Sequence, residues 1–171
     1  MEDRQLSALL EQVRRGDRDA FEEMYRDMSA PIFTVLMRIT RDRGLAEDTL
    51  QEFFLKMYRT PPPASVKKPR AYLFRTAENM ALDALRARRQ AESADGSARP
   101  AQGGDPLRRL VVEEAFEALP PAQRRVITLH LNGGLKFREI AAVTGEPLGT
   151  VLWRYRKGID KLRELLSGGI L

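Results

Sequence analysis

Phe137-Arg-Glu-Ile-Ala141-Ala-Val-Thr-Gly145-Glu-Pro147-Leu-Gly-Thr-Val151 is the stretch that decides how this chain folds. Ala141 is small where two helices must cross closely. Gly145 supplies the positive φ of a tight turn. Pro147 is able to open the next helix, since its missing N–H has no partner to lose there. Val151 returns the chain to an apolar core. This spacing predicts two short helices joined by a turn, the geometry of a helix-turn-helix. Two core helices joined by an ordinary short turn are the competing reading.

The helix that follows helps to decide. At about 100° per residue, Leu148, Val151, Tyr155, Ile159, Leu162 and Leu166 form one apolar stripe. Trp153, Lys157, Asp160 and Glu164 fall opposite, flanked by Arg154, Arg156 and Lys161. Basic side chains near the start of such a helix suit phosphates and base edges in a major groove.

Outward from this motif, nearly every periodic stretch has helical spacing, and no alternating run of β-branched residues is long enough for a strand. The expected fold class is all-α. Residues 90–106, QAESADGSARPAQGGDP, contain no large apolar side chain, so their burial cannot offset the entropy of ordering them. They are expected to be a flexible linker, dividing the chain into helical domains at 1–89 and 107–171. In the first domain, helices are expected over about 3–15, 19–39, 45–58 and 70–89. The second is given a capping box from Asp19 to Glu22 and a break or kink at Pro31. The prolines within residues 60–69 require an extended loop. The second domain is expected to have helices over about 107–118, 121–132, 136–144 and 148–166.

Two helix faces in the first domain carry further chemistry. On the third helix, Ala46, Leu50, Phe53, Phe54 and Met57 are expected to face the core, with Asp48, Gln51, Glu52 and Leu55 outside. An acidic solvated face would look the same, but a leucine among acids points weakly to a protein partner. On the fourth, Leu73, Ala77, Met80 and Ala84 face inward, while Tyr72, Arg75, Asn79, Asp83 and Arg86 line the outer face. An aromatic ring with arginines and an amide can stack on and hydrogen-bond unpaired bases. An ordinary solvated face has similar composition. Lys67 and Lys68 lie in the loop just before.

Composition bounds the alternatives. The 171 residues carry a net charge of +5, with 43% hydrophobic and 31% charged residues, which fits a folded chain with a polyanionic partner without naming it. There is no cysteine and a single histidine, His130, which leaves neither disulfides nor a thiolate metal site and too few nitrogen ligands for zinc. No metal and no cofactor are expected. No apolar run approaches the roughly 20 residues that cross a bilayer. The first ten residues lack a basic-then-apolar signal, so a cytoplasmic protein without membrane insertion is expected. Residues for nucleophilic or metal chemistry are absent or unclustered, so no catalytic residue is assigned and an enzyme is the least supported class.

Taken together, these residues resemble the extracytoplasmic-function (ECF, group IV) sigma factors of bacterial RNA polymerase. Leu45-Ala-Glu-Asp-Thr-Leu-Gln-Glu-Phe-Phe-Leu-Lys-Met-Tyr58 is similar to the family's polymerase-docking helix. Arg70-Ala-Tyr-Leu-Phe-Arg-Thr-Ala-Glu-Asn-Met-Ala-Leu-Asp-Ala-Leu-Arg86 is similar to the segment that melts and reads the −10 element. Ala118-Leu-Pro-Pro-Ala-Gln-Arg-Arg-Val126 with the helix-turn-helix is similar to the region that reads the −35 element.

The resemblance implies an alternative sigma factor with sigma region 2-like and region 4-like domains. Its partners would be core RNA polymerase, promoter DNA and an anti-sigma factor. Asp48, Gln51, Glu52 and Leu55 would dock on polymerase. Lys67, Lys68, Tyr72, Arg75, Asn79, Asp83 and Arg86 would act at −10, the loop over 60–69 holding a flipped base. Thr150, Trp153, Arg154, Arg156, Lys157 and Lys161 would lie at −35, and the linker would thread through the polymerase.

Four positions depart from the family pattern. Tyr72 stands where Trp is usual and keeps a stacking ring. Glu78 stands where Arg is common, which would remove some of the affinity for DNA. Leu152-Trp153 replaces the common Lys/Arg-Ser after Gly-Thr-Val, which bears on the −35 sequence and on whether it is read at all. The remaining alternatives are a helix-turn-helix regulator acting without polymerase, and a sigma-like interaction protein whose DNA surface has been reassigned.

Overall fold

The computed structural model describes residues 1–95 and 108–168, with no strand among them. The described helices are α1 (Asp3–Arg14), α2 (Arg18–Thr40), α3 (Arg43–Arg59), α4 (Pro69–Asp95), α5 (Arg108–Glu117), α6 (Pro121–Leu131), α7 (Phe137–Thr144) and α8 (Leu148–Gly168). The fold is all-α, and the chain divides into two units, Met1–Gln102 and Gly103–Leu171.

In the N-terminal unit, α2 packs against α1, α3 and α4. Leu6, Leu10, Met24, Met28, Ile32, Leu36, Phe53, Met57, Leu73 and Phe74 are fully buried. Each such side chain contributes about 1.5–3 kcal/mol relative to exposure. The start of α2 differs from the expected Asp19–Glu22 box. Gly16 turns with φ 86°, which leaves Asp17 extended, and the Asp17 carboxylate accepts the Ala20 N–H at 3.2 Å. Asp19 instead lies in the first turn, where an acid interacts favourably with the helix dipole.

Pro31 does not break α2, which continues from Arg18 to Thr40. Met28 before it and Ile32, Val35 and Leu36 after it are all buried. Both halves are held in one core, which offsets the missing backbone bond.

The fourth helix also runs beyond the expected end at Arg89, to Asp95. The Arg88 Nε–Glu92 ion pair at 2.7 Å and the Ser93 hydroxyl donating to the Arg89 carbonyl at 2.8 Å fit this extra turn. The start of the expected linker, residues 90–95, is therefore helical. The remainder, residues 96–106, lies outside the described residues.

The cap of α3 links two helices. Asp42 accepts the Leu45 N–H at 2.8 Å, and its other oxygen pairs with Arg88 of α4 at 2.8 Å. The Leu45 N–H bond, with Arg88 adding to it, holds the Asp42 carboxyl below the usual carboxylate range against the effect of partial burial. A depressed folded value means that this contribution is fully present above the unfolded-chain value of about 4. It is lost as pH falls through the lowered folded value. Asp42→Ala should cost about 1–2 kcal/mol at neutral pH through the lost cap and pair, and should flatten the acid limb of stability. Urea unfolding measured between neutral and acid pH checks both. An unchanged midpoint at neutral pH would remove this role from Asp42.

In the C-terminal unit, Phe116, Leu119 and Ile127 form a buried cluster against which Tyr155, Ile159 and Leu162 pack. Gly158 lies where α8 meets α6: a Cβ there would come within 2.6 Å of the Ile127 Cδ1. Glycine inside a helix is about 1 kcal/mol less favourable than alanine, and here it permits the close approach. Glu139 accepts the Lys136 N–H at 2.6 Å and secures the start of α7. Gly145 ends α7 with φ 73°, as the turn requires. Pro147 sits just outside α8, its carbonyl accepting the Val151 N–H at 3.1 Å, and Val151 is fully buried.

Candidate polymerase and nucleic-acid interfaces

The third helix carries its two faces as its periodicity requires. Ala46, Thr49, Phe53, Phe54 and Met57 are buried, and Leu50 is half-buried. Phe54 makes ring contacts with Tyr25 at 4.6 Å and Phe21 at 6.2 Å, which fix the rotation of α3 about its axis. Asp48, Gln51, Glu52 and Leu55 are consequently all exposed on the other side. Leu55 keeps 51% of its surface in solvent. Tyr58 adds an exposed aromatic edge to α3, packed on Phe21 at 5.0 Å. Periodicity alone had not assigned it.

On α4, Tyr72, Arg75, Asn79, Asp83 and Arg86 are exposed together, as are Lys67 and Lys68 in the preceding loop. Asp83 and Arg86 pair at 3.1 Å, both mostly exposed, so this bridge is weak and readily exchanged for another partner. The inner face is wider than the expected stripe. Leu73 and Ala77 are fully buried, but so are Phe74 and Ala81, whereas Met80 and Ala84 are half-buried. The helix packs against α1, α2 and α3, and three neighbours require more than one narrow seam. Glu78 falls within this inner face, at 3% exposure. Its carboxylate is therefore not part of the exposed outer face of α4.

The helix-turn-helix side chains divide into free and engaged groups. Trp153 keeps 56% of its surface in solvent, so more than half of the residue is left open to a partner. Arg156 and Lys157 are exposed beside it, while Thr150 is half-buried. Arg154 is engaged within the motif: its guanidinium pairs with Glu146 of the turn, both three-quarters buried. Lys161 pairs with Glu164 at 3.1 Å. His130 is a packing residue. Its Nδ1–H donates to the Leu135 carbonyl at 2.8 Å, its ring stacks on Phe137 at 4.3 Å, and Tyr155 meets it edge-on at 5.0 Å. Among the described residues no group of His, Cys, Asp or Glu is placed to hold a metal. No described helix is long and apolar enough to cross a membrane.

An acidic face and a ring-and-amide face on one helical unit are followed by a helix-turn-helix on a second, and both units match the Sigma-70 family. Residues 24–91 match Sigma-70 region 2 and residues 109–162 match Sigma-70, region 4. The chain is 34% identical to the ECF RNA polymerase sigma factor SigK of Mycobacterium ulcerans, over 95% of this chain and 94% of that protein. It is also 34% identical to the RNA polymerase sigma factor CarQ of Myxococcus xanthus, over 92% and 95% of the two chains.

Among solved structures, it resembles the sigma factor RpoE in complex with the anti-sigma factor NepR from Bartonella quintana. That likeness has a TM-score of 0.66 and 25% identity, over 86% of this chain and 96% of that one. The fold also resembles CnrH in complex with the cytosolic domain of CnrY, with a TM-score of 0.68 and 22% identity over 95% and 97%. The chain belongs to the ECF RNA polymerase sigma factors. It is an alternative sigma factor, and it directs transcription initiation.

Proposed function

We propose that the N-terminal unit docks on core polymerase through Asp48, Gln51, Glu52 and Leu55, and opens and reads the −10 element. Tyr72, Arg75, Asn79, Asp83 and Arg86 on α4 face the melted strand, with Lys67 and Lys68 on its phosphates and the loop over 60–69 around a flipped base. Extracting a base costs a few kcal/mol, which contacts to polymerase and both promoter elements supply together. The C-terminal unit reads −35 through Trp153, Arg156 and Lys157, with Thr150, Arg154 and Lys161 alongside, and the residues between the units thread through the polymerase.

The observation that carries this reading is the joint exposure of the acidic α3 face and the Tyr72–Asn79 face on one unit. A regulator acting without polymerase has no use for the first. The activity is binding, with no chemistry assigned to the chain itself, and it is exercised in the cytoplasm, where polymerase and promoter DNA meet. An anti-sigma factor is a further partner, as for the Bartonella quintana relative.

Trp153 supplies the test at −35. A large ring in water contributes little to stability, and in a major groove it would rest on thymine methyl groups. Trp153→Ser should leave stability within about 0.5 kcal/mol and shift the preferred −35 sequence, read by run-off transcription across a −35 library. Equal use of the same promoters would end the DNA role of Trp153. It would then favour an anti-sigma factor as the partner that covers the ring.

A further inference from the structure

The loop between α3 and α4 is held at both ends by a helix far from it in sequence. At its start, the Arg14 Nη1 of α1 donates to the Pro62 carbonyl, while the Arg14 Nε donates to Glu11 at 3.1 Å, which fixes the guanidinium. At its end, the Asp3 carboxylate of α1 accepts the Arg70 N–H at 3.0 Å. Lys68 occupies the cap position of α4, its carbonyl taking the Tyr72 N–H at 3.1 Å, but a lysine side chain cannot accept a backbone N–H. Asp3, 67 residues away, does the capping instead. The Arg70 guanidinium returns the contact, donating to the Met1 carbonyl at 2.6 Å.

Between these anchors the loop makes its own turn, the Val66 N–H donating to the Pro63 carbonyl at 3.0 Å. Pro62 and Pro69 are buried, and Ala64, Ser65, Lys67 and Lys68 are exposed. The cleft between α1 and the loop, lined by Ser7, Leu10, Arg14, Pro62, Val66 and Pro69 among others, has an internal volume of only about 20 Å³. That is room for about one water, so α1 supports the loop from behind and leaves its outer side to a ligand. Helix α1 also lies before the region 2 match, which begins at residue 24.

We infer that α1 is a brace for −10 recognition, with Arg14 and Asp3 as positioning residues that set the shape of the loop without touching DNA. The inference rests on the reading of this loop as the holder of the flipped base. A loop with neither anchor would populate many conformers, and only the fraction competent to hold the base would bind it.

The test uses full-length protein with core polymerase on linear promoters substituted singly across the −10 and −35 elements. Arg14→Ala and Asp3→Ala should each lower discrimination between intact and substituted −10 elements. A charge-assisted hydrogen bond is at stake in each, so the loss should be about tenfold. Discrimination at −35 and binding to core should not change. Arg14→Lys, which keeps a donor, should recover part of the loss, and amide exchange should quicken over residues 64–70 but not in the buried part of α2. A loop variant with Pro63→Gly, Ala64→Gly, Ser65→Gly and Val66→Gly separates the two ideas. If it loses −10 discrimination while Arg14→Ala and Asp3→Ala keep theirs, the brace is overturned and the loop reading stands. If the glycine loop itself keeps full discrimination, the loop reading falls and the brace with it.

Discussion

Asp48→Lys combined with Glu52→Lys should remove binding to core polymerase and leave helicity unchanged. The two acids are four residues apart, so they project from one face of α3, and both are exposed. The opposite face is anchored by Phe53 and Met57, fully buried, and by the Phe54–Tyr25 ring contact at 4.6 Å. Reversal therefore changes the docking charge without moving the helix. Losing a desolvated charge pair across an interface costs about 2–5 kcal/mol, and reversal adds repulsion, so two positions weaken binding by roughly a thousandfold or more. Co-purification with tagged core polymerase, with circular dichroism as the folding control, checks the result. A double variant that still co-purifies would place the docking face elsewhere.

Tyr72→Ala should lower transcription strongly on a linear duplex promoter and much less on a template with a premelted bubble. Tyr72, Arg75 and Asn79 follow at three- and four-residue steps along α4 and are all exposed, so ring, cation and amide follow one edge of the helix. A stacking platform contributes roughly 1–3 kcal/mol per base, so the duplex template should lose roughly fivefold to a hundredfold. Tyr72 keeps 37% of its surface exposed, so urea unfolding of the variant is measured alongside to separate lost packing from lost stacking. A premelted bubble already carries the cost of unpairing and recovers most of the activity. Equal loss on both templates would give Tyr72 a structural role instead.

The features read correctly from the sequence are those set by short-range periodicity. Val151, Tyr155, Ile159 and Leu162 repeat at helical spacing, and that repeat alone placed Trp153 in solvent. Gly145 announces its positive φ because few other residues adopt it. The acidic face of α3 was legible for the same reason: Phe53, Phe54 and Met57 leave one side for the core.

What escaped the reading depends on neighbours distant in sequence. Arg14 and Pro62 are 48 residues apart, and nothing local to either marks the contact. Glu78 and Phe74 lie inside because α4 meets three helices at once, which one stripe does not reveal. A break or kink was expected at Pro31; α2 does not break there, since burial on both sides outweighs a single lost backbone bond. Asp17 and Asp19 are both good caps in isolation, and the turn at Gly16 selects the first. Gly158 carries a usable signal, since glycine inside a long helix marks a close crossing, yet only the packed partner shows that Ile127 is there. Arg154 reads as a free cation until folding brings Glu146 beside it.

Run-off transcription by core polymerase on linear genomic promoters, with and without the chain, tests sigma activity most directly. The expected result is a set of discrete transcripts that requires the chain, maps to promoters with a −10 and a −35 element at fixed spacing, and disappears with Asp48→Lys and Glu52→Lys. Transcription indifferent to the chain, together with tight and salt-resistant binding of the free protein to duplex DNA, would contradict it.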